Sequence, residues 1–359
     1  MRTDDDVPLS GLTTMRVGGP ARRLVTVGTT DELVDAVREV DDADEPLLVV
    51  AGGSNLVIAD EGFAGSVVRI ATGGLGIEPT DPADGVTIRV AAGEVWDDVV
   101  ARAVAEGWSG IEALSGIPGS AGATPIQNVG AYGQEVAQTI SQVRVWDRRE
   151  QQVRSLSNAD CQFTYRHSLF KGESRYVVLD VVFRLGLSTL SAPIRYSDLA
   201  RALGVAAGER VPLEDARAAV LAQRRQRGMV LDAADHDTWS CGSFFTNPIM
   251  SAGSYAALQD RAHARLGAVG EPVLVPRFDL PNGQVKTVAA WLIEKAGFGK
   301  GYGIPGPAAL STKHTLAVTN RGAASAADVL ALAREIREGV QDAFGVSLVN
   351  EPVLVGLTL

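Results

Sequence analysis

The chain has 359 residues, 46% hydrophobic and 21% charged, a globular mix too long for one ordinary core, so two or three domains are expected. Its formal net charge of −10 argues against a nucleic-acid binder, which needs a basic face to displace counterions, but permits a local basic pocket for a small anion. The acidic start MRTDDD is unlike a secretory signal, no apolar run reaches the about 20 residues of a bilayer span, and Cys161, Cys241 and the four histidines lack metal-ligand spacing. A soluble, cytoplasmic protein without a metal or a disulfide framework is expected.

Thr29-x-x-Glu32 has the form of a capping box, and Leu33, Val34, Val37 and Val40 follow at helical spacing. The apolar run 47–50 predicts a strand, then comes the turn Gly52-Gly53-Ser54-Asn55, then a second strand at 56–58. A strand at 86–90 and a helix at 94–106 follow, the helix stopped by Gly107. From Gly107 to Gly133 the chain is glycine-rich yet carries apolar and amide residues, which predicts an ordered loop rather than a linker. Strands are expected at 143–146, 153–156 and 176–185, and a helix at 213–227 ending at Gly228, a domain boundary. The last region reads as helices at 287–296 and 326–343, the second stopped by Gly345, and a final strand pair at 346–348 and 352–358. Helices and strands mix without regular alternation, so the class is α+β rather than a doubly wound sheet.

Gly301-Tyr-Gly303-Ile-Pro-Gly306 matches the dinucleotide fingerprint G-x-G-x-x-G letter for letter. It follows a predicted helix instead of a strand, and Pro305 and Pro307 obstruct the helix that a nucleotide-binding turn must open. No P-loop pattern occurs. Two other loops have the right chemistry: Ala51–Asn55, set between two apolar strands, and the nineteen residues from Ser115 to Gly133. Glycine lets a backbone approach a pyrophosphate and aim its N–H groups at the oxygens. Ser54, Asn55, Gln127 and Asn128 offer side-chain donors and acceptors for a heteroaromatic ring. The first loop reads equally well as an ordinary tight turn, whereas the second is costly to order without a ligand or a core beneath it.

In chain order the sequence carries Thr13-Thr-Met-Arg-Val-Gly-Gly-Pro-Ala21, Ala51–Asn55, Gly116-Ile-Pro-Gly119, Pro125-Ile-Gln-Asn-Val-Gly-Ala-Tyr-Gly133, Tyr165-Arg166-His-Ser168-Leu-Phe-Lys171, Gly242-Ser243-Phe-Phe-Thr-Asn247-Pro248, Ala289-Ala-Trp-Leu-Ile-Glu294, Ser311-Thr-Lys-His314 and Asn350-Glu351-Pro352. This series resembles the UDP-N-acetylenolpyruvoylglucosamine reductases over nearly the whole chain. The resemblance implies an α+β fold: FAD-binding subdomains of the vanillyl-alcohol-oxidase type at 1–78 and 79–228, a substrate domain at 229–345, and C-terminal strands at 346–359 returning to the active site. It implies non-covalent FAD, NADPH as co-substrate, and reduction of UDP-N-acetylglucosamine enolpyruvate in peptidoglycan synthesis. Neither glycine loop holds the His or Cys that covalent attachment would use.

The implied cofactor set is Gly52, Gly53, Ser54, Asn55, Ser115, Gly116, Ile117, Pro118, Gly119, Gly122, Gln127, Asn128, Gly130, Ala131 and Tyr132. Arg166 is expected to pair with the substrate carboxylate, because a permanent planar cation stabilises charge that builds there. The resemblance makes Ser243 the proton donor and sets Glu351 at the developing enolate. Tyr196, in Pro193-Ile-Arg-Tyr-Ser-Asp198, is expected to close over the nucleotide, and Arg227, Asn247 and Lys286 to bind substrate. The family more often has lysine where Arg227 stands, so Arg227 is expected to bind a phosphate or fix a water rather than lend a proton. His167 and His314 read as structural. An oxidase on the same flavin scaffold and a non-catalytic flavin or nucleotide-sugar carrier are the alternatives. No nucleic-acid or membrane partner is expected, and the absence of a coiled-coil pattern favours a monomer.

Overall fold

The computed structural model describes residues 1–267 and 273–359. The chain forms two compact units. The first comprises Met1–Val7, Ala21–Gly53 and Phe63–Val230, and the second Pro8–Pro20, Ser54–Gly62 and Leu231–Leu359.

In the first unit, the four-stranded sheet runs in the order Arg2–Pro8, Pro20–Val27, Phe63–Ile70, Leu47–Val50, with the last three strands parallel. Helix α1, Thr30–Asp42, buries Leu33, Ala36, Val37 and Val40, and the Thr29 side chain accepts the Glu32 N–H at its start. The second sheet is antiparallel, in the order Gln152–Ser157, Ile140–Asp147, Tyr176–Leu187, Val86–Ala91, Leu75–Glu78. Its long strand is apolar on both faces from Val177 to Phe183 except for Asp180, whose buried carboxylate pairs with Arg89. Helix α2, Trp96–Ala105, ends at Gly107 in the left-handed region, φ +71°, and its Trp96 packs on Phe183 with ring centroids 5.5 Å apart. Helices α3, Ser197–Leu203, and α4, Leu213–Gln226, share a small core of Ile194, Leu199, Val211, Ala216 and Val220.

In the second unit, α5, Ala252–Leu266, and α6, Ala289–Ala296, pack on α7, Ala326–Phe344. The core here holds Phe244, Phe245, Tyr255, Leu330, Ile336 and Phe344. Helix α7 starts at a Ser325–Asp328 capping box and stops at Gly345, φ +66°. Short strands complete the unit: Ile249–Met250 and Phe278–Asp279 flank Val285–Lys286, and Ala308–Leu310 pairs with Val318–Asn320.

The end of the chain departs from the expected strand pair. Residues 346–348 are irregular, and Val353–Val355 pairs in parallel with Leu56–Ile58. Val346 and Leu348 spend their apolar side chains on the helical core instead of on a ladder. Alternation marks a buried face, but it does not say which distant edge will accept the strand. The segment 301–306 forms turns with no helix after it. Among the described residues no helix is long and apolar enough to cross a membrane.

Asp60 accepts the first two free N–H groups of α7, from Ala326 at 2.7 Å and Ala327 at 3.0 Å. A carboxylate there satisfies orphan donors and opposes the helix dipole. Asp60→Ala is expected to lower the free energy of unfolding by about 1 kcal/mol, read as a lower urea midpoint at unchanged slope.

Candidate active site

In the first unit the two glycine turns meet. A Cβ on Gly52 would lie 2.6 Å from Gly119 Cα and 3.0 Å from its carbonyl carbon, so only hydrogen fits there. The turn continues in left-handed conformations at Gly53, φ +55°, Gly116, φ +71°, and Gly119, φ +114°, which glycine adopts without strain. Neighbouring segments fix it: Trp96 N donates to Gly119 O at 3.0 Å, Ala121 N to Glu94 O at 2.8 Å, and Gly122 N to Ala92 O at 2.9 Å. Gly122 is pressed so closely on Ala92 that an added Cβ would lie 2.5 Å from the alanine Cβ.

Three carboxylates brace this loop, and none of them was expected. Asp97, in the first turn of α2, accepts Gly116 N at 2.6 Å and both terminal nitrogens of Arg217, at 2.7 and 2.9 Å. Burial pushes the Asp97 carboxyl upward, but the Arg217 and Gly116 hydrogen bonds outweigh it and hold the group below the ordinary aspartate value. Glu112 is buried and accepts Gly110 N, Ala192 N and Gln134 Nε2 at 2.6, 2.6 and 2.9 Å. Glu135 accepts from Asn128 Nδ2 at 2.9 Å. Their sequence signal is weak, since an acidic residue in a first helical turn or beside a glycine usually faces water.

The structure divides the expected flavin residues by what their side chains do. Ser115 is fully buried and donates to Glu112 O at 2.6 Å. Asn128 gives its amide to Glu135 and Thr164 O and receives Ala137 N at 3.1 Å. Both are committed to holding the loop. Ile117 packs against the main core, and Pro118 and Gln127 are partly buried. Gly130 and Ala131 form a two-residue strand with Gln134–Glu135, and Tyr132 meets Tyr196 edge-on at 5.4 Å. Ser120 lies in the same loop with its Oγ sealed from solvent and without a partner.

Arg166 sits on this loop. Its Nη2 donates to Gly130 O at 2.7 Å and its Nη1 reaches Asn128 O at 3.5 Å, while Lys171 Nζ donates to Arg166 O at 3.1 Å. It lies in a turn closed by Thr164 and His167, with φ +53°. Tyr196 is 39% exposed at the start of α3. Arg227, at the end of α4, faces Asp198 at 3.5 Å.

The other expected residues lie in the second unit. The antiparallel bridge Phe245–Asn350, with Glu351 N donating to Phe244 O at 2.9 Å, brings Glu351 beside the segment that carries Ser243. Asn55 closes the group, donating to Glu351 O at 3.3 Å and accepting Val353 N at 2.9 Å. Gly242 turns the chain there at φ +72°. Ser54 belongs to the same unit. Asn247 Oδ1 accepts Ala289 N at 3.0 Å, which caps α6, and Lys286 lies opposite both Ile249 and Phe278 in the three-stranded sheet. His314 N donates to Ser311 Oγ at 3.3 Å.

Comparisons with known proteins add the following. Residues 21–155 match the family model described as an FAD binding domain, and residues 233–355 the one described as the UDP-N-acetylenolpyruvoylglucosamine reductase C-terminal domain. The chain is 60% identical to the UDP-N-acetylenolpyruvoylglucosamine reductase of Streptomyces coelicolor over 99% of this chain and 90% of that one. It is 58% identical to that of Thermobifida fusca over 99% and 98%. Among solved structures it resembles a UDP-N-acetylenolpyruvylglucosamine reductase from Thermus caldophilus, with TM-score 0.65 and 25% identity over 99% of both chains.

Two outcomes follow. Gly52→Ala must push the turns apart and is expected to weaken FAD binding at least about tenfold, measured by flavin fluorescence titration. Asp97→Asn tests the brace by pH. A carboxyl whose folded value is depressed stabilises fully above its unfolded value of 3.8 and loses that contribution as pH falls through the folded value. The variant is therefore expected to melt below the wild type at neutral pH, with the gap closing as pH falls below 3.8.

Proposed function

Because the chain belongs to the UDP-N-acetylenolpyruvoylglucosamine reductase family, we propose that it reduces the enol ether of UDP-N-acetylglucosamine enolpyruvate to UDP-N-acetylmuramate for peptidoglycan, with FAD as cofactor and NADPH as electron donor. The residues fit an FAD. Backbone approach without Cβ atoms at Gly52 and Gly119 suits a diphosphate, and Ser120 Oγ is a sealed polar atom that lacks a partner in the protein. Gly52, Gly53, the Gly116–Gly119 turn and Gly122 would hold the cofactor, with Ala131 and Tyr132 beside them. When bound, FAD supplies hydride transfer, from NADPH to C3 of the enolpyruvyl group.

The observation that carries the reading is Arg166, a permanent cation tied to Gly130 O on the flavin loop. Charge moving into the substrate carboxylate as hydride adds is best met by a cation already fixed in place, because no reorganisation is then required. Ser243 delivers the proton to C2 from Oγ. Serine is a weak acid, so its hydroxyl must be held and resupplied by a neighbour, and the closeness of Glu351 to that segment supports the carboxyl as that neighbour. Tyr196 covers the nucleotide, and Arg227, Asn247 and Lys286 take the diphosphate and sugar. For Asn247 the available group is the amide Nδ2, since its oxygen caps α6. The two buried cysteines stand unpaired, which supports a reducing cytoplasm, and we take the working form as a monomer.

Separating the half-reactions tests this. Ser243→Ala is expected to be bleached anaerobically by NADPH at the wild-type rate, while reoxidation by the enolpyruvyl substrate slows by about 100-fold or more. Equal turnover by that variant would remove serine as the donor, and a preparation that stays colourless with added FAD would remove the whole reading.

A further inference from the structure

Arg224 stands in the last turn of α4. Its Nη2 donates to Met229 O at 2.7 Å, but its Nε is sealed from solvent and has no partner. A Cβ added at Gly116 would lie 3.5 Å from that Nε, so the unfilled donor borders the Gly116–Gly119 turn. Burial pushes the guanidinium down to about 10, with Arg227 adding like-charge repulsion, and the attraction of Tyr132 and Asp97 does not restore it. The Asp97 oxygens hold Arg217 and Gly116 N, and the Arg224 Nε finds no acceptor among them.

A buried cation with an idle donor is destabilising unless something accepts from it. A purely structural role is poorly served by this arrangement. One hydrogen bond to Met229 O could be made by an uncharged amide, without burying a charge beside Arg227. The same turn carries a second idle polar atom, Ser120 Oγ. Both deficits lie at the same glycine-rich turn.

We propose that Arg224 binds the FAD directly, its Nε donating to an oxygen of the cofactor at the Gly116 turn. This rests on the reading that the turn holds FAD. The oxygen is electron-rich in either of two sources, the diphosphate or a carbonyl of the isoalloxazine ring. The sources differ in one respect: a cation on the ring stabilises the charge it gains on reduction, whereas a cation on the diphosphate acts equally on both redox states.

The test uses the full chain stripped of flavin and reconstituted, as wild type, Arg224→Gln and Arg224→Lys. Arg224→Gln is expected to raise the FAD dissociation constant by about tenfold or more, the loss of one charge-assisted hydrogen bond. Its flavin-free thermal midpoint should stay level or rise, because an uncompensated buried charge has been removed. A ring partner then lowers the flavin midpoint potential, and a diphosphate partner leaves it unchanged. Unchanged FAD affinity in Arg224→Gln, or a lowered flavin-free midpoint with unchanged affinity, overturns the proposal. If the glutamine variant fails to fold, Arg224→Lys decides: it keeps the charge but lacks Nε, so weakened FAD binding supports the assignment and wild-type binding overturns it. A wild-type chain that takes up no FAD would sink the cofactor reading itself, whereas a wild type that binds with unaltered variants sinks this inference alone.

Discussion

The first unit is arranged around a contact that involves no side chain, the approach of Gly52 to Gly119. The turns can be this close only because residue 52 carries no Cβ, and glycine backbone of this kind is what lets a ligand approach closely. Everything nearby serves that contact. Helix α2 begins where Trp96 N reaches Gly119 O, and the Trp96 ring is buried against Phe183 of the longest strand. The loop is thereby tied through Trp96 to the buried Phe183.

Glycine-rich backbone is entropically costly to order, and the apolar core alone does not hold this loop in place. The bracing comes from acidic side chains that accept backbone and amide N–H groups: Asp97 at Gly116, Glu112 at Gly110 and Ala192, Glu135 at Asn128. Each carboxylate offers several acceptor sites and so can tie two or three donors at once. The chain's net charge of −10 is thus compatible with a local basic site, because part of the negative charge is taken up inside the scaffold, as where Asp97 pairs with Arg217.

What the sequence made legible was local. Thr29 before an apolar 3.6-residue pattern marked α1, and Gly107, Gly228 and Gly345 marked helix ends because all three take the left-handed φ that other residues resist. The glycine loops were legible because glycine has few reasons to recur except backbone geometry. Pairing was not legible. Val353–Val355 finds its partner nearly 300 residues away at Leu56–Ile58, and the strands Arg2–Pro8, Pro20–Val27 and Phe63–Ile70 are too interrupted by charge and glycine for alternation to announce them. The carboxylate braces and Arg224 escaped for a related reason. A charged residue ordinarily faces water, and only the folded loop reveals which groups these residues meet.

Asn128, Tyr132 and Arg166 bear on how much of this geometry serves function. All are non-glycine residues in the left-handed region, at φ +47°, +50° and +53°. Such conformations cost about 1–3 kcal/mol each and persist only where surrounding structure over-determines them. Here it does: the Asn128 amide makes three hydrogen bonds, and Arg166 is held at its guanidinium by Gly130 O and at its carbonyl by Lys171. Relaxing any of the three to an extended conformation would turn a side chain off the glycine loop. A loop selected only to connect strands would use glycine or asparagine at such positions. One that keeps tyrosine and arginine there holds two large side chains where an unstrained backbone would not put them.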